Sequence, residues 1–172
     1  MAPGLRWRPM LPRDLAGVTA IADQVHRAYP EDVAVFRAAR RLYPSGCKVA
    51  ERGDGTVLGY LVSHPGRLDR APVIDQPMTR LAEPFDCYFL HDLALLPEAR
   101  GQGLAAQAVD LVLAEAQHCG IATIALVAVG DAHGFWEGQG FRCVGDGLLP
   151  PDKNYGPEAR LMVRGSTVPD HT

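Results

Sequence analysis

The stretch with the most chemical content runs Leu93-Ala94-Leu95-Leu96-Pro97-Glu98-Ala99-Arg100-Gly101-Gln102-Gly103-Leu104-Ala105. An apolar run stops at Pro97, and a glycine-bearing loop then leads into helical periodicity. Glycine has no Cβ, so Gly101 and Gly103 let backbone amides approach an anion, and the first amides of a helix have no partner within it. A phosphate suits such a set of donors, and Arg100 at the head of the loop adds a cation. Taken alone, the two glycines read first as a tight turn into a helix. Ahead of the loop, Cys87 to Leu95 is apolar except for His91 and Asp92. An imidazole with a reference pKa of ~6.5 can exchange protons near neutrality. A carboxylate in so apolar a strand needs partners. Strand side chains alternate, so His91 and Asp92 are expected on opposite faces, with Asp92 fixing a neighbouring loop or helix end.

No other chemistry-bearing residues cluster. Cys47, Cys87, Cys119 and Cys143 contain no CxxC pair, and His26, His64, His91, His118, His133 and His171 contain no HExxH arrangement. Neither a metal site nor a redox pair is expected, and the thiols read as small buried hydrophobes.

The elements that must position the loop follow from periodicity. Leu5 to Met10 reads as a strand, and Leu15, Val18, Ile21, Ala22 and Val25 fall at helical spacing after Pro12. The pattern breaks at Pro30, and Asp32 to Leu42 forms a second helix ended by Pro44 and Gly46. Cys47 to Glu51 and Val57 to His64 flank Arg52-Gly53-Asp54-Gly55, a hairpin signal. Residues 65–86 hold Pro65, Pro72, Pro77 and Pro84 with no strong period. Such a long segment is a candidate substrate lid or a poorly ordered insertion. Cys87 to Leu95, a helix over Gly103 to Cys119 closed by Gly120, and Ile121 to Val129 make a strand, helix, strand unit. A crossover of that length requires a parallel, right-handed connection. A short helix over Asp131 to Gln139 and strands near Phe141 to Gly145 and Ala159 to Arg164 complete the chain.

Its 172 residues, 47% hydrophobic and 22% charged, fit one domain over 1–172, with a core over about 5–164 and a frayed tail over 165–172. Seventeen Lys and Arg against 20 Asp and Glu give a net charge of −3, so no broad field draws nucleic acid or anionic lipid. No apolar run approaches the ~20 residues that span a bilayer, and the first ten residues lack the apolar stretch of a secretory signal. A soluble, cytoplasmic protein with no nucleic-acid or membrane partner is expected.

Arg100-x-x-Gly103-x-Ala105 resembles the (Q/R)-x-x-G-x-(G/A) acetyl-CoA loop of the GNAT acetyltransferase superfamily, with Leu93-x-Leu95-x-Pro97 where that family keeps its preceding strand. Ala132, Phe135-Trp136 and Gly140-Phe141 are similar to its last-helix signature. The likeness covers about residues 5–164 and is sharp between 88 and 141. It implies an α/β (α+β) GNAT acyl-CoA N-acyltransferase fold: a mixed, mostly antiparallel sheet with a central splayed parallel strand pair, residues 87–95 and 121–129, and flanking helices. The splay would admit the pantetheine arm of acetyl-CoA. Leu93, Ala94 and Leu95 would pair with that arm as a strand does, Trp136 would help wall the cofactor, and Arg100, Gly101, Gln102, Gly103, Leu104 and Ala105 would hold the pyrophosphate. An amide-bearing ligand suits strand groups that splaying leaves unpaired. The implied reaction is acetyl transfer to a primary amine by direct attack on the thioester. His91, two residues before Leu93, stands where several members place the base, and the Leu93 N–H would meet the oxyanion. The alternative role for His91 is a core histidine bonded to a neighbouring strand. Family members are often dimers, so a homodimer is implied by resemblance only.

Two departures stand out. Trp136 replaces a tyrosine that in many members protonates the leaving thiolate, and an indole N–H is a very poor acid. The proton would then come from solvent, from the ammonium intermediate, or from His133 or Tyr155. Val129 replaces a frequent asparagine. A non-catalytic acyl-CoA sensor or interaction module is the alternative that Trp136 supports. Gly101-x-Gly103-x-x-Ala106 also satisfies the dinucleotide fingerprint. Against an oxidoreductase, residues 96–100 separate strand from motif, and Gly120-Ile121-Ala122-Thr123 offers no acidic residue at the next strand. The acceptor, a small-molecule or a protein amine, is not decided: Glu31, Asp32, Asp69, Asp75, Glu83 and Asp86 are interspersed with Arg37, Arg40, Arg41, Arg67, Arg70 and Arg80.

Overall fold

The computed structural model describes residues 4–145, 156 and 158–166. Seven strands form one sheet in the order β1 (Arg6–Pro9), β2 (Cys47–Glu51), β3 (Val57–Gly66), β4 (Cys87–Leu95), β5 (Thr123–Ala128), β7 (Arg160–Gly165) and β6 (Arg142–Cys143). Every neighbouring pair is antiparallel except β4 with β5. The sheet is therefore mixed, mostly antiparallel, with one central parallel pair. Strand β3 runs two residues past the expected end, so Pro65 and Gly66 belong to it and pair with Tyr88 and Cys87.

The helices lie where the apolar spacing puts them. In α1 (Leu15–Val25), Leu15, Val18, Ile21 and Ala22 are buried at intervals of three or four, the spacing that places side chains on one face. In α2 (Val33–Leu42), Asp32 caps the first turn by accepting from the Ala34 N–H at 2.9 Å, and Val35, Phe36, Ala38 and Ala39 are buried. These faces meet Tyr60, Val62 and Ala94 of the sheet. The other face of the sheet is covered by α3 (Leu104–His118), through Ala108, Val109, Val112, Leu113 and Ala116 against Tyr88, Leu90 and Ile124. Only α4 (His133–Gly138) has no buried residue. Among the described residues no helix is long and apolar enough to cross a membrane.

Two irregularities position the site. The parallel ladder of β4 with β5 is two pairs long, Tyr88 with Ile124 and Phe89 with Ala125, after which the strands part. On the other edge of β4, Val62 opposes Asp92 while Ser63 opposes Leu90, so His91 is the extra residue of a β-bulge.

The β3 side of that bulge is braced by close backbone contact. A Cβ on Gly46 would collide with the carbonyl oxygen of Ser63, whose hydroxyl donates to the Gly46 carbonyl at 2.9 Å. Neither backbone can yield without breaking the strand, so Gly46→Ala is expected to cost about 3 kcal/mol. A urea titration checks this, with a lowered midpoint at unchanged slope as the expected result.

Candidate active site

Past Phe89 and Ala125, the facing edges of β4 and β5 border a cleft of about 870 Å³. Leu93, Ala94 and Leu95 line it from β4, Leu126 and Val127 from β5, and Val129 just beyond. The outer edges of both strands are consumed, with Leu95 paired to Gly59 and Ala128 to Arg160. The inner edges alone keep backbone donors and acceptors for a guest.

One end of the cleft is the loop before α3. A 3-10 turn over Pro97–Ala99 closes with the Arg100 N–H on Pro97 O at 3.2 Å. Gly101 and Gly103 then take φ of +76° and +78°, and the first helical bond runs from the Gln107 N–H to Gly103 O at 3.0 Å. A Cβ at either glycine would meet nothing within 4 Å, so conformation rather than crowding requires glycine. The amides of residues 101–106 have no acceptor among the described residues. Arg100, Gly101, Gly103, Leu104 and Ala105 border the cleft. Gln102 does not: its side chain donates to Glu98 O at 3.0 Å, leaving it only its amide to contribute. Arg100 is exposed and donates through Nε to Leu95 O at 3.2 Å, which keeps its guanidinium over the loop. Half-buried Trp136 borders the cleft from α4, edge-on to Phe135 and Phe141 with ring centroids 4.9 and 5.6 Å away. His133 is exposed and lies outside the lining, and Tyr155 lies outside the described residues.

The opposite end is built from His26 and Tyr29 after α1, Glu31, Ile74, and His91 and Asp92 of β4. Strict alternation predicted opposite faces for His91 and Asp92, and the structure corrects this. The bulge inserts one residue, so the parity of β4 flips there: Leu90 and Leu93 both pack on the α3 side, while His91 meets His64 of β3 and Asp92 meets Tyr60. As expected, Asp92 ties down a helix end. Its Oδ1 lies 2.9 Å from His26 Nε2, at the C-cap of α1, and its Oδ2 accepts from the Tyr60 hydroxyl at 2.6 Å. Glu31 accepts from the Asp75 N–H at 3.2 Å, and Asp75 in turn accepts from the Asp32 N–H at 2.8 Å. That clasp ties segment 65–86 to the turn after α1, and of the segment only Ile74 borders the cleft.

Burial and charge tune these groups in opposite directions. Burial raises the Glu31 carboxyl to about 7, and the neighbouring Asp92 carboxylate adds to the rise. Burial alone would lower His26, but its bond to Asp92 and the charges of Asp92 and Glu31 lift it above the ordinary value. Burial holds His91 below the usual imidazole range, which the charge of Asp92 only partly offsets. At neutral pH His91 is therefore unprotonated and able to accept a proton. The sequence singles out His91 and the loop, leaves Glu31 among a mixed set of surface charges, and gives His26 and Tyr29 no role. Only the need of Asp92 for partners signalled them, and that partner lies 66 residues away at a helix end.

Residues 14–141 match the family model described as Acetyltransferase (GNAT) family. The chain belongs to this family. No curated protein sequence matches it significantly. Among solved structures sharing the GNAT fold, the GphF GNAT-like decarboxylase in complex with isobutyryl-CoA has a TM-score of 0.75 at 21% identity, covering 94% of this chain and 100% of that one. Ard1 from Thermoplasma volcanium has a TM-score of 0.70 at 17% identity, covering 94% and 97%. The GNAT family N-acetyltransferase YhbS from Escherichia coli, in complex with CoA, gives 0.62 at 22%, covering 97% and 84%. At these identities the likeness is one of fold.

The Tyr60 bond to a carboxylate should contribute about 2 kcal/mol. Tyr60→Phe is expected to lower stability by that amount in chemical denaturation, because Asp92 keeps only His26.

Proposed function

We propose that this GNAT family member is an acetyl-CoA-dependent N-acetyltransferase that acetylates a cationic primary amine, with His91 as its base. The observation that carries this is the splay. Two central strands leave facing backbone groups unpaired along a cleft that ends in free loop amides, and an elongated ligand with amides at one end and phosphates at the other satisfies both sets. The inner edge of Leu93, Ala94 and Leu95 suits the pantetheine arm, the amides of residues 101–106 with Arg100 suit the pyrophosphate, and Trp136 walls the cleft between them. When bound, acetyl-CoA supplies an acyl group activated as a thioester, whose carbon the amine attacks as the thiol departs.

An ammonium has no lone pair, so a proton must leave it first. Neutral His91 can take that proton, and as part of β4 it stands near the expected thioester. The Leu93 N–H is suited to the oxyanion. The proton on the departing sulfur has no phenol on α4 to come from, because Trp136 stands there. Solvent or the ammonium of the adduct must supply it.

Glu31 and Asp92 favour a cationic acceptor. No Lys or Arg pairs with Glu31 among the described residues, and one Glu31 oxygen has no hydrogen-bond partner there. An ammonium entering from that side would hold the Glu31 proton off and find a counter-charge at the end of the cleft away from the loop amides.

Release of CoA thiol is the readout, measured across diamines, monoamines and peptide N-termini. His91→Gln is expected to lower turnover at least ~100-fold while acetyl-CoA affinity is kept. An unchanged rate excludes His91 as the base. Stabilisation by acetyl-CoA with no thiol released for any amine would mark a sensor instead. The pH dependence has two parts. Turnover should fall as pH drops through a value below the ordinary imidazole pKa of ~6.5, where His91 takes a proton. Affinity for a diamine should rise with pH through about 7, as Glu31 loses its own. Glu31→Gln should abolish that second rise and weaken diamines more than butylamine.

A further inference from the structure

We propose that His64 is a positioning residue that holds His91 with its hydrogen on Nδ1, so that the Nε2 lone pair of His91 is the one available to the cleft. The inference rests on the reading of His91 as the base. The geometry that carries it is a chain of two hydrogen bonds. His64 Nδ1 lies 2.9 Å from Pro65 O, and His64 Nε2 lies 3.1 Å from His91 Nδ1. A carbonyl oxygen only accepts, so His64 Nδ1 carries a hydrogen. A neutral imidazole then has a bare Nε2, which must accept, and His91 Nδ1 must donate to it. One assignment remains for His91: Nδ1 protonated, Nε2 free to receive a proton.

The lock depends on His64 remaining neutral, since an imidazolium would donate from both nitrogens and force the opposite tautomer on His91. His64 is 3% exposed. Phe89 of β4 packs against its ring at 6.0 Å between centroids, and His91 stands edge-on at 5.2 Å. On its other side is a smaller cavity of about 240 Å³, bordered by residues 70–73 and 76–82, whose charged residues are Arg70 and Arg80. Burial first, and then the charge His91 can carry, push His64 down to about 3. None of the surrounding groups is an acid that would charge it.

The same bond serves both states of the base. Once His91 has taken a proton at Nε2, its Nδ1–H still points at His64 Nε2 and becomes a stronger, charge-assisted donor. The proton does not travel on, because the far hydrogen of His64 is held on a carbonyl that cannot receive it. The bulge explains how the pair can form. His91 is the residue the antiparallel ladder skips, and its ring meets a strand neighbour that regular pairing would have given to another side chain.

Nitrogen chemical shifts of the labelled imidazoles, assigned with His91→Gln, read the tautomer directly and need no acceptor. The test therefore survives failure of the acetyltransferase reading. In the full chain at pH 7, His91 is expected to be neutral and protonated on Nδ1. An Nε2–H signature there overturns the proposal. His64→Gln can still accept from His91 and donate to Pro65 O, and should keep both the tautomer and most of the turnover. His64→Leu offers no acceptor. It should move the His91 hydrogen to Nε2 and lower kcat about tenfold or more with KM for the amine and acetyl-CoA affinity unchanged. Wild-type kcat in His64→Leu, or equal loss in both variants, overturns the positioning role. If His64→Leu does not fold, the wild-type tautomer and the His64→Gln turnover still decide.

Discussion

An unpaired strand edge in a protein interior is costly, because each amide and carbonyl withdrawn from water needs a partner. The sheet concentrates that cost in one place. β4 is paired to β3 on one side, except at the bulged His91, and β5 to β7 on the other, while their shared ladder stops after Phe89 and Ala125. The open edges are held apart by elements each anchored elsewhere: α3 through its apolar face on Tyr88 and Ile124, and the turn after α1 through His26 on Asp92. Closing the gap would require those anchors to move together. The cleft is thus a consequence of how the rest of the sheet is satisfied, and its free backbone groups are available without reorganisation when a strand-like ligand arrives.

A single inserted residue decides what the cleft can do. Without the bulge, His91 and Asp92 would lie on opposite faces, and the carboxylate that fixes the end of α1 could not share a cavity with the proposed base. With it, both line the same space, each with its own partners: His64 for His91, and His26 with Tyr60 for Asp92. Two imidazoles two places apart in this network are driven to opposite behaviour. His26, bonded to a carboxylate, is eased toward its charged form, whereas burial keeps His91 from it and the charge of Asp92 offsets that only in part. Burial opposes charge in both, and the direct bond to Asp92 is what lifts His26 past it.

Most of this architecture was legible in the sequence because its signals are local. The bounds of β4 and the spacing of Leu15, Val18, Ile21 and Ala22 follow from hydrophobic period, and the loop from glycines at positions that need positive φ. The bulge was not, since a strand with one extra residue has the same composition as one without. Nor was the clasp of Glu31 by Asp75, whose partners are 44 residues apart and sit in stretches that read as mixed surface charge. The side chain of Gln102 is turned back onto Glu98, a local bond that the loop motif, which concerns backbone amides, does not carry.

The two ends of the cleft also differ in sign, and this matters more than the net charge of −3. At one end, the loop amides and Arg100 present donors and positive charge, with Asp131 as the acidic residue that borders the cleft after β5. At the other, Glu31 and Asp92 present acceptors, with the imidazoles of His26 and His91 beside them on the wall. In a cleft walled by Leu90, Leu93 and Leu126, such charges are screened less than they would be on an open surface. A ligand with a phosphate and one with an ammonium are therefore each repelled from the other's end. The field of the empty cleft thus favours anionic groups at the loop end and cationic groups at the Glu31 end, before any specific contact is made.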